Sequence, residues 1–239
     1  MADTPSLGIV WVTGASSGIG AAIARRLAEE RYTVVASARR AHLLRRLAGS
    51  IPHIYPLPCD CSDPEAVAEV STEILHRFGT IDALVHCVGN ALFKPFVQTT
   101  PAEFESLLQA NVYSLFLCLR AVLPAMIERK SGVILYISSV AALKAFAFSS
   151  IYGGLKAAAA HMLRALREEL RSQGIKVVNL HVGATDTPVW HGALRRRWRH
   201  RMLQAEDVAE TACALLRLTA QPRLLPEELV LRPQLGDLP

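Results

Sequence analysis

Short runs of apolar residues, rich in valine and isoleucine, alternate along the chain with longer segments whose apolar residues recur at helical spacing. Short continuous apolar runs are typical of buried strands, and the 3.6-residue spacing is typical of helices packed on a core. Seven strands are predicted, at Leu7–Thr13, Tyr32–Ala38, Ile54–Pro58, Ile81–Val88, Val133–Ile137, Ile175–Val182 and Glu228–Arg232. Strands that alternate with helices predict an α/β fold, in which helices cover both faces of a parallel sheet.

Two of the helical stretches have recognisable ends. Asp63 followed by Pro64 is an N-cap with proline in the first turn, and it predicts a helix that runs to about Phe78. Pro101–Arg129 is helical in pattern throughout, and Pro124 marks either a break or the last turn.

No Pro/Gly-rich linker divides the chain, so we predict a single domain over residues 1–239. The least regular stretch is Gly183–Leu203, between the sixth strand and a helix predicted at Ala205–Leu218. We call Gly183–Leu203 the lid segment, because a long irregular stretch after the carboxyl end of a strand is a candidate cover for a ligand.

Composition excludes several classes of protein. Of the 239 residues, 51% are hydrophobic, which allows a sizeable core, and no apolar run reaches the ~20 residues of a membrane span. The N-terminal sequence MADTPSLGIVWVTG lacks the basic and long apolar regions of a secretory signal, so a cytoplasmic protein is expected. The cysteines are too scattered for a disulfide framework, and the C-x-C pair Cys59/Cys61 has no second pair to complete a zinc site. Reduced thiols and no metal are therefore expected.

The net charge of +5 is concentrated in one place, where Arg195, Arg196, Arg197, Arg199 and Arg201 surround Trp198. Such a run fits either a nucleic-acid surface or a solvated face near a phosphate-bearing ligand. No nucleic-acid fold motif accompanies it, so no nucleic-acid partner is expected.

A glycine-rich turn follows the first strand. Thr13–Gly20, TGASSGIG, has the spacing G-x-x-x-G-x-G and opens the first helix, which suits a dinucleotide pyrophosphate at a helix N-terminus. The second strand ends in Ser37-Ala38-Arg39-Arg40, without the acid that holds the ribose hydroxyls of NAD. Arginine forks suit a phosphate, so this end favours NADP(H); the alternative is that the two arginines only start an exposed helix.

A second cluster lies in Gly132–Leu170, where a strand ends at Ser138-Ser139 and Tyr152 precedes Lys156 by four residues. Residues at i and i+4 share one helix face, and the serine of a strand end can meet them there. A hydroxyl, a phenol and an ammonium together can move a proton.

Taken in order, five segments resemble the short-chain dehydrogenase/reductase family over nearly the whole chain: TGASSGIG at Thr13–Gly20, Cys59-Asp60, Asn111 in QANVYS, ISS at Ile137–Ser139, and Tyr152-x-x-x-Lys156. The resemblance implies a doubly wound, single-domain Rossmann fold of about seven strands. It implies catalytic roles for Ser139, Tyr152, Lys156 and Asn111, with Tyr152 as the acid or base and Lys156 lowering its pKa. Ser139, rather than Ser138, has the family's offset of thirteen residues from Tyr152.

The resemblance also implies a set of cofactor-binding residues, among which Asp60 contacts the adenine and Gly183 approaches the nicotinamide. This set is Gly14, Ser16, Ser17, Gly18, Ile19, Gly20, Arg39, Arg40, Asp60, Cys61, Cys87, Gly89, Tyr152, Lys156, Gly183, Thr185 and Thr187.

Three departures from the family pattern stand near these residues. His86-Cys87-Val88-Gly89 replaces N-N-A-G, so His86 is either a structural substitute or an extra acid/base. Val182-Gly183 replaces Pro-Gly. Gly153-Gly154 follows Tyr152, where two glycines weaken a helix and open space beside the tyrosine.

The substrate is expected to be a small apolar or flat carbonyl or alcohol compound, because the candidate pocket residues are mostly apolar. They are Asn90–Phe93, Ala141, Leu143, Phe146, Phe148, Trp190 and His191. The segments SSVAALKAFAFSSIY, ATDTPVWHG and EELVLRPQLGDL are similar to bacterial sepiapterin-reductase-like members. Trp190 would then cover a pterin ring; the alternative is a hydrophobic latch that holds the lid segment shut. The alternatives are a reductase of another apolar ketone or aldehyde and a non-catalytic NADP(H)-sensing scaffold.

Apolar residues on several faces of the long helices favour a homodimer or homotetramer.

Overall fold

The computed structural model describes residues 7–49, 51–190 and 192–238. Within these ranges, seven strands form one parallel sheet in the order β3-β2-β1-β4-β5-β6-β7. The strands are β1 Ile9–Thr13, β2 Thr33–Ser37, β3 Ile54–Pro56, β4 Ala83–His86, β5 Gly132–Ser139, β6 Ile175–Val182 and β7 Glu228–Leu231. Each predicted strand is present, and β6 has the predicted bounds.

Helices cover both faces of the sheet. In the described ranges they are α1 Gly18–Glu29, α2 Ala41–Ala48, α3 Pro64–Phe78, α4 Pro101–Leu108, α5 Ser114–Glu128, α6 Ser150–Leu170, α7 Gly192–Trp198 and α8 Ala205–Thr219. The buried apolar residues of α1, α2 and α8 form one core on one face, and those of α3, α5 and α6 form a second core on the other. The predicted single-domain, doubly wound Rossmann fold is confirmed.

The stretch predicted as one long helix is divided, but at a different place from Pro124. A π-helical segment, Gln109–Tyr113, separates α4 from α5, whereas Pro124 lies within α5. Two side chains form hydrogen bonds with backbone carbonyls of the widened turn: Asn111 Nδ2 donates to Leu107 O at 2.9 Å, and Ser114 Oγ donates to Ala110 O at 2.8 Å. The helix is therefore not broken at Pro124, which lies close to the last turn of α5, the other alternative; the helix is disturbed where polar side chains bond to backbone carbonyls.

By length and composition the helical stretch Pro101–Glu128 passes as a membrane span, yet 44% of its apolar window is buried in the protein. Its residues Leu115, Val122 and Met126 belong to the core on the sheet. This is the pattern of a core helix.

The lid segment is less irregular than predicted. It contains α7 and a 3₁₀ turn, Arg199–Arg201, because its leucine and arginines are good helix formers. Much of the basic run is used internally: Arg195 and Arg199 both pair with Asp186, and Arg201 Nη2 donates to the carbonyl of Leu235 at 3.0 Å.

The strand order reverses between β1 and β4, which are neighbours in the sheet. Chain segments leave the carboxyl ends of these two strands toward opposite sides, which opens a crevice at that edge. Ligands of doubly wound sheets bind at such a switch point.

Candidate active site

A cleft of about 710 Å³ lies at this switch point and gathers most of the predicted cofactor residues. Those on its wall are Gly14, Ser16, Ser17, Gly18, Ile19, Gly20, Arg39, Arg40, Asp60, Cys61, Cys87, Gly89, Tyr152, Lys156 and Thr187. Ser106, Gln109 and Ala110 also line it, from α4 and the π-helical segment. These three were not predicted, because nothing in the helical spacing marks a π turn that faces a ligand.

Gly183 and Thr185 do not lie on the wall of this cleft. The Gly183 N–H donates to Leu231 O at 2.8 Å, and a Cβ on Gly183 would stand 2.8 Å from Pro233 Cδ. Thr185 Oγ1 donates to Gly183 O at 3.0 Å. Their approach to the cofactor therefore stays a prediction; in the structure Gly183 packs against the C-terminal segment, and Thr185 packs at the root of the lid segment.

The glycine-rich turn is packed too tightly for side chains. A Cβ on Gly14 would lie 2.9 Å from the Cys87 carbonyl, and Gly14 has φ +71°; a Cβ on Gly20 would lie 2.5 Å from Gly14 O. The turn therefore brings bare backbone and the positive end of the α1 dipole to the cleft. This arrangement suits a pyrophosphate.

Arg40 contacts the glycine-rich turn directly. Its Nη2 donates to Ser16 Oγ at 2.9 Å and to Ser17 Oγ at 2.7 Å, and its Nε donates to Ser16 Oγ at 3.2 Å. Arg40 is the N-cap residue of α2, and both Arg39 and Arg40 line the cleft, so they start this helix and also face the predicted cofactor site. The guanidinium that follows β2 and the two hydroxyls of the glycine-rich turn form a donor set that matches a phosphate.

Asp60 stands on the same side of the cleft. Burial acts to raise the pKa of its carboxyl, but hydrogen bonds from Ser62 Oγ at 2.7 Å and Ser62 N at 3.0 Å, with the charge of Arg39, bring the pKa below its ordinary value. The carboxylate is therefore ionised and held by its own turn.

Tyr152 and Ser139 meet at the carboxyl end of β5. Burial raises the pKa of the Tyr152 phenol above its ordinary value, and the hydrogen bond with the Ser139 side chain opposes the rise. Ser139 Oγ also accepts from Ala141 N at 3.1 Å. Ser138, expected to face away, contributes to the wall of the cleft, and its Oγ is buried with no hydrogen-bond partner in the described part of the chain.

The Lys156 ammonium is buried beside this pair and donates to Ile137 O at 3.3 Å. Burial lowers its pKa to about 8, and the nearby Cys87 opposes the shift. That Lys156 lowers the pKa of Tyr152 stays a prediction; without cofactor, burial of the phenol outweighs the hydrogen bond with Ser139, and the pKa is raised.

Asn111 points its amide toward the same place. Its Nδ2 donates to Asn90 O and Leu107 O, both at 2.9 Å, while its Oδ1 is buried with no hydrogen-bond partner among the residues that the structure describes. A Cβ on Gly89 would lie 2.8 Å from Asn111 Oδ1 and 3.1 Å from Lys156 Nζ. The Asn111 amide oxygen and the Lys156 ammonium thus both pack closely against the backbone of Gly89, which leaves no room for a side chain at that residue.

Three aromatic rings stand in a row at the mouth of the site. Phe93 stacks on Trp190 with ring centroids 5.4 Å apart and an interplanar angle of 8°, and it meets Tyr152 edge-on at 5.7 Å. Trp190 Nε1 donates to Thr185 O at 3.0 Å. Phe146 is not part of this row; Lys144 Nζ lies 5.2 Å over its ring. His191 lies outside the described residues.

His86 occupies a structural position below the site. It is fully buried, with Nδ1 at 3.0 Å from Thr13 Oγ1 and Nε2 at 3.3 Å from Ser114 Oγ. Burial, followed by the charge of Lys156, lowers its pKa to about 3. A neutral imidazole that joins β1, β4 and α5 matches the structural alternative rather than that of an extra acid/base.

Comparison with known proteins agrees with this geometry. The model of the short chain dehydrogenase family matches residues 8–198. The chain belongs to this family. Sepiapterin reductase of Chlorobaculum tepidum is 31% identical over 244 residues, covering 96% of this chain and 98% of that protein. An uncharacterized oxidoreductase of Staphylococcus aureus strain MRSA252 is 30% identical over 227 residues, covering 94% of this chain and 96% of that protein.

Solved structures show the same fold. An alcohol dehydrogenase from Thermococcus sibiricus, complexed with 5-hydroxy-NADP, superposes with a TM-score of 0.88 at 27% identity and covers 97% of this chain and 99% of its own. The closed form of a serine dehydrogenase complexed with NADP+ gives a TM-score of 0.90 at 26% identity, with 96% of each chain covered. The family's members named here are oxidoreductases.

Proposed function

We propose that the protein transfers a hydride between NADP(H) and a carbonyl or alcohol substrate through a Ser-Tyr-Lys-Asn site. The observation that carries this proposal is the pairing of Tyr152 with Ser139 beside a buried Lys156, at one end of a cleft whose other end holds Arg40. Proton-transfer groups and a phosphate-binding end occur together in one cleft, which is what a reductase that uses a phosphorylated dinucleotide requires.

The residues present fit NADP(H). The bare glycine turn and the start of α1 would hold the pyrophosphate, Arg39 and Arg40 the additional phosphate, and Lys156 the nicotinamide ribose hydroxyls. The unpartnered Asn111 Oδ1 and the Lys156 ammonium beside Gly89 supply an acceptor and a donor at one place. When bound, NADP(H) supplies or accepts the hydride.

The protein's own groups manage the proton. Because burial raises its pKa, Tyr152 is protonated at neutral pH and can donate to the substrate oxygen during reduction. Ser139 Oγ holds that oxygen and stabilises its developing charge. With a pKa of about 8, Lys156 is mostly charged at neutral pH. Its charge stabilises the phenolate that forms when Tyr152 donates its proton. In the oxidation direction, the phenolate form of Tyr152 acts as the base.

A flat ring is the substrate that the aromatic row favours. Phe93 and Trp190 present parallel faces beside Tyr152, and aromatic pairs of this kind stack on planar ligands. The similarity to a sepiapterin reductase makes a pterin with a side-chain ketone the first candidate. Another apolar ketone or aldehyde is the second.

The test is substrate-dependent oxidation of NADPH over a panel of pterins, ketones and aldehydes. Tyr152→Phe is expected to abolish turnover, by about a thousandfold or more, while NADPH still binds. Unchanged turnover in Tyr152→Phe would refute the mechanism. Tight NADPH binding with no oxidation across the panel would favour the non-catalytic NADP(H)-sensing scaffold instead.

We also propose a homo-oligomer formed through α4 and α5. Phe104, Phe116 and Ile127 are each 41% exposed on these helices, and Tyr113 stacks on Phe116 at 6.2 Å. Exposed aromatic clusters of this kind mark contact surfaces.

A cytoplasmic location is also proposed, and it is supported by the five free thiols.

A further inference from the structure

Lys156 is a buried cation with little polar support from the protein. Its side chain is 5% exposed, and its ammonium donates to one protein acceptor in the described ranges, Ile137 O at 3.3 Å. A buried ammonium loses its hydration and needs compensation from neighbouring groups. The groups around this ammonium therefore determine its pKa and its position.

The titratable groups that face the ammonium supply no negative charge at neutral pH. From the end of β4 and the turn after it come His86, with a pKa of about 3, and Cys87, whose pKa burial raises to about 12. From α6 comes the Tyr152 phenol, which burial keeps protonated, and from β5 comes Tyr136, with a pKa raised by burial. All four groups are uncharged, so no carboxylate or thiolate partner is among them.

Tyr136 offers a different kind of support. The Lys156 Nζ lies over the Tyr136 ring, 4.9 Å from its centroid, and the ring is completely buried. The face of an aromatic ring carries negative charge density and attracts a cation, most strongly where water is excluded. The hydroxyl is not involved in any hydrogen bond within the described structure: Tyr136 Oη is buried without a partner.

The neighbouring strand holds the ring in this position. Tyr136 and His86 are register partners across β4 and β5, and their ring centroids are 6.2 Å apart at an interplanar angle of 34°. His86 is itself fixed by Thr13 and Ser114. The substituted turn at His86 and the tyrosine on β5 therefore form one buried platform beneath the lysine.

We propose that Tyr136 is a positioning residue that keeps the Lys156 ammonium charged and in place through its ring face, and that its hydroxyl has no part in this. The proposal rests on the proposed function, since that function gives Lys156 its role. The proposal goes beyond that function because it assigns the electrostatic support of Lys156 to a residue outside the Ser-Tyr-Lys-Asn site.

The experiment compares Tyr136→Phe, which keeps the ring face, with Tyr136→Leu, which removes it. The pKa of Lys156 is measured directly in the cofactor-free protein by NMR titration of ¹³Cε-labelled lysine, with Lys156→Met to assign the resonance. We expect Tyr136→Phe to titrate as the original protein does, and Tyr136→Leu to lower the pKa of Lys156 by about one unit. If Tyr136→Leu does not fold, Tyr136→Met replaces it as a flexible side chain without a ring face.

A second readout is the pH profile of turnover. In Tyr136→Leu the alkaline limb of kcat should move to lower pH by the same amount, with KM little changed, and Tyr136→Phe should restore the original profile. An unshifted Lys156 titration in Tyr136→Leu, or an equal shift in Tyr136→Phe, would overturn the proposal. Because the NMR titration needs no substrate, a shifted Lys156 in a protein without turnover would refute the proposed function and leave the support of the ammonium standing.

Discussion

Two adjacent glycines at the start of α6, directly after Tyr152, have opposite surroundings. A Cβ on Gly153 would stand 3.0 Å from Ala141 O and 3.5 Å from Ser149 Oγ, whereas a Cβ on Gly154 would meet nothing within 4 Å. Neither glycine has a positive φ, so alanine can adopt the backbone at both. Replacing each in turn by alanine separates helix propensity from close packing.

The expected Tm shifts follow from the balance between a gain in helix propensity and a cost of overpacking. Alanine in place of glycine stabilises a helix by about 0.5–1 kcal/mol, and this gain is common to both variants. Forcing an extra carbon into a packed site costs about 1–3 kcal/mol, and only Gly153→Ala incurs it. Gly154→Ala should therefore raise Tm by about 1–4 °C, and Gly153→Ala should melt about 2–12 °C below Gly154→Ala, at ~2–4 °C per kcal/mol for a chain of this size.

The same contact reaches the catalytic serine. The Ala141 N–H donates to Ser139 Oγ at 3.1 Å, so pushing the Ala141 carbonyl away moves the turn that orients Ser139. Misplacing a reacting group by a fraction of an ångström lowers turnover by up to about a hundredfold. We expect Gly153→Ala to lose kcat and keep NADPH binding, and Gly154→Ala to keep both.

Thermal melts with and without NADPH, followed by steady-state kinetics on the best substrate of the panel, measure these effects. Equal Tm shifts in the two variants would refute the packing argument. A loss of kcat in Gly154→Ala as large as that in Gly153→Ala would refute the link to Ser139.

Three further predictions concern other parts of the chain. Arg40→Gln should weaken NADPH binding by about 10–100-fold and NADH binding much less, with Arg45→Gln on α2 as the matched control, measured by calorimetry; equal losses for both nucleotides would contradict the assignment. In the folded protein the pKa of His86 is about 3, below its value of 6.5 in the unfolded chain. The buried, neutral imidazole therefore favours folding above pH 6.5, and this contribution is lost as the pH falls toward 3. His86→Gln should therefore flatten the fall of unfolding free energy between pH 6 and 4, and an unchanged slope would exclude His86 as its source. Phe116→Glu should reduce the mass measured by light scattering, and an unchanged mass would remove α5 from the interface.

The strands and helices were predictable because their signals are local. A short β-branched run or a 3.6-residue period belongs to one segment, and β6 and α3 end where those patterns end. The π-helical segment was not predictable, because one widened turn leaves the apolar spacing on either side unchanged. Its position depends on Asn111 and Ser114 bonding to backbone carbonyls, which the hydrophobic pattern does not record.

The candidate site was predictable as far as its residues belong to short motifs at the ends of neighbouring strands. The position of Gly183 depends instead on how the C-terminal segment packs after β7, and that of Thr185 on how the lid segment folds back on Leu203. The same holds for Tyr136, whose position under Lys156 requires β5 and α6 to be packed together. Whether burial or a neighbouring charge dominates the pKa of Tyr152 is likewise a property of the packed site.

The substrate side of the site is held together by bonds that the cofactor side does not share. The loop after β4 is joined to the loop after β5 by Lys94 N donating to Phe148 O at 2.9 Å, and the second loop is joined to the C-terminal segment by the Lys144–Asp237 ion pair at 2.9 Å. Arg201 connects the lid segment to the same C-terminal segment through the carbonyl of Asp237 at 3.4 Å. On the cofactor side Arg40 bonds to the glycine-rich turn, and Gly18 of this turn packs against Thr187 of the lid segment. Lys144 and Arg40 share no hydrogen-bond partner among the described residues, so the free-energy effects of substituting both should add. The chain can therefore change its substrate through the linked loops without changing its cofactor.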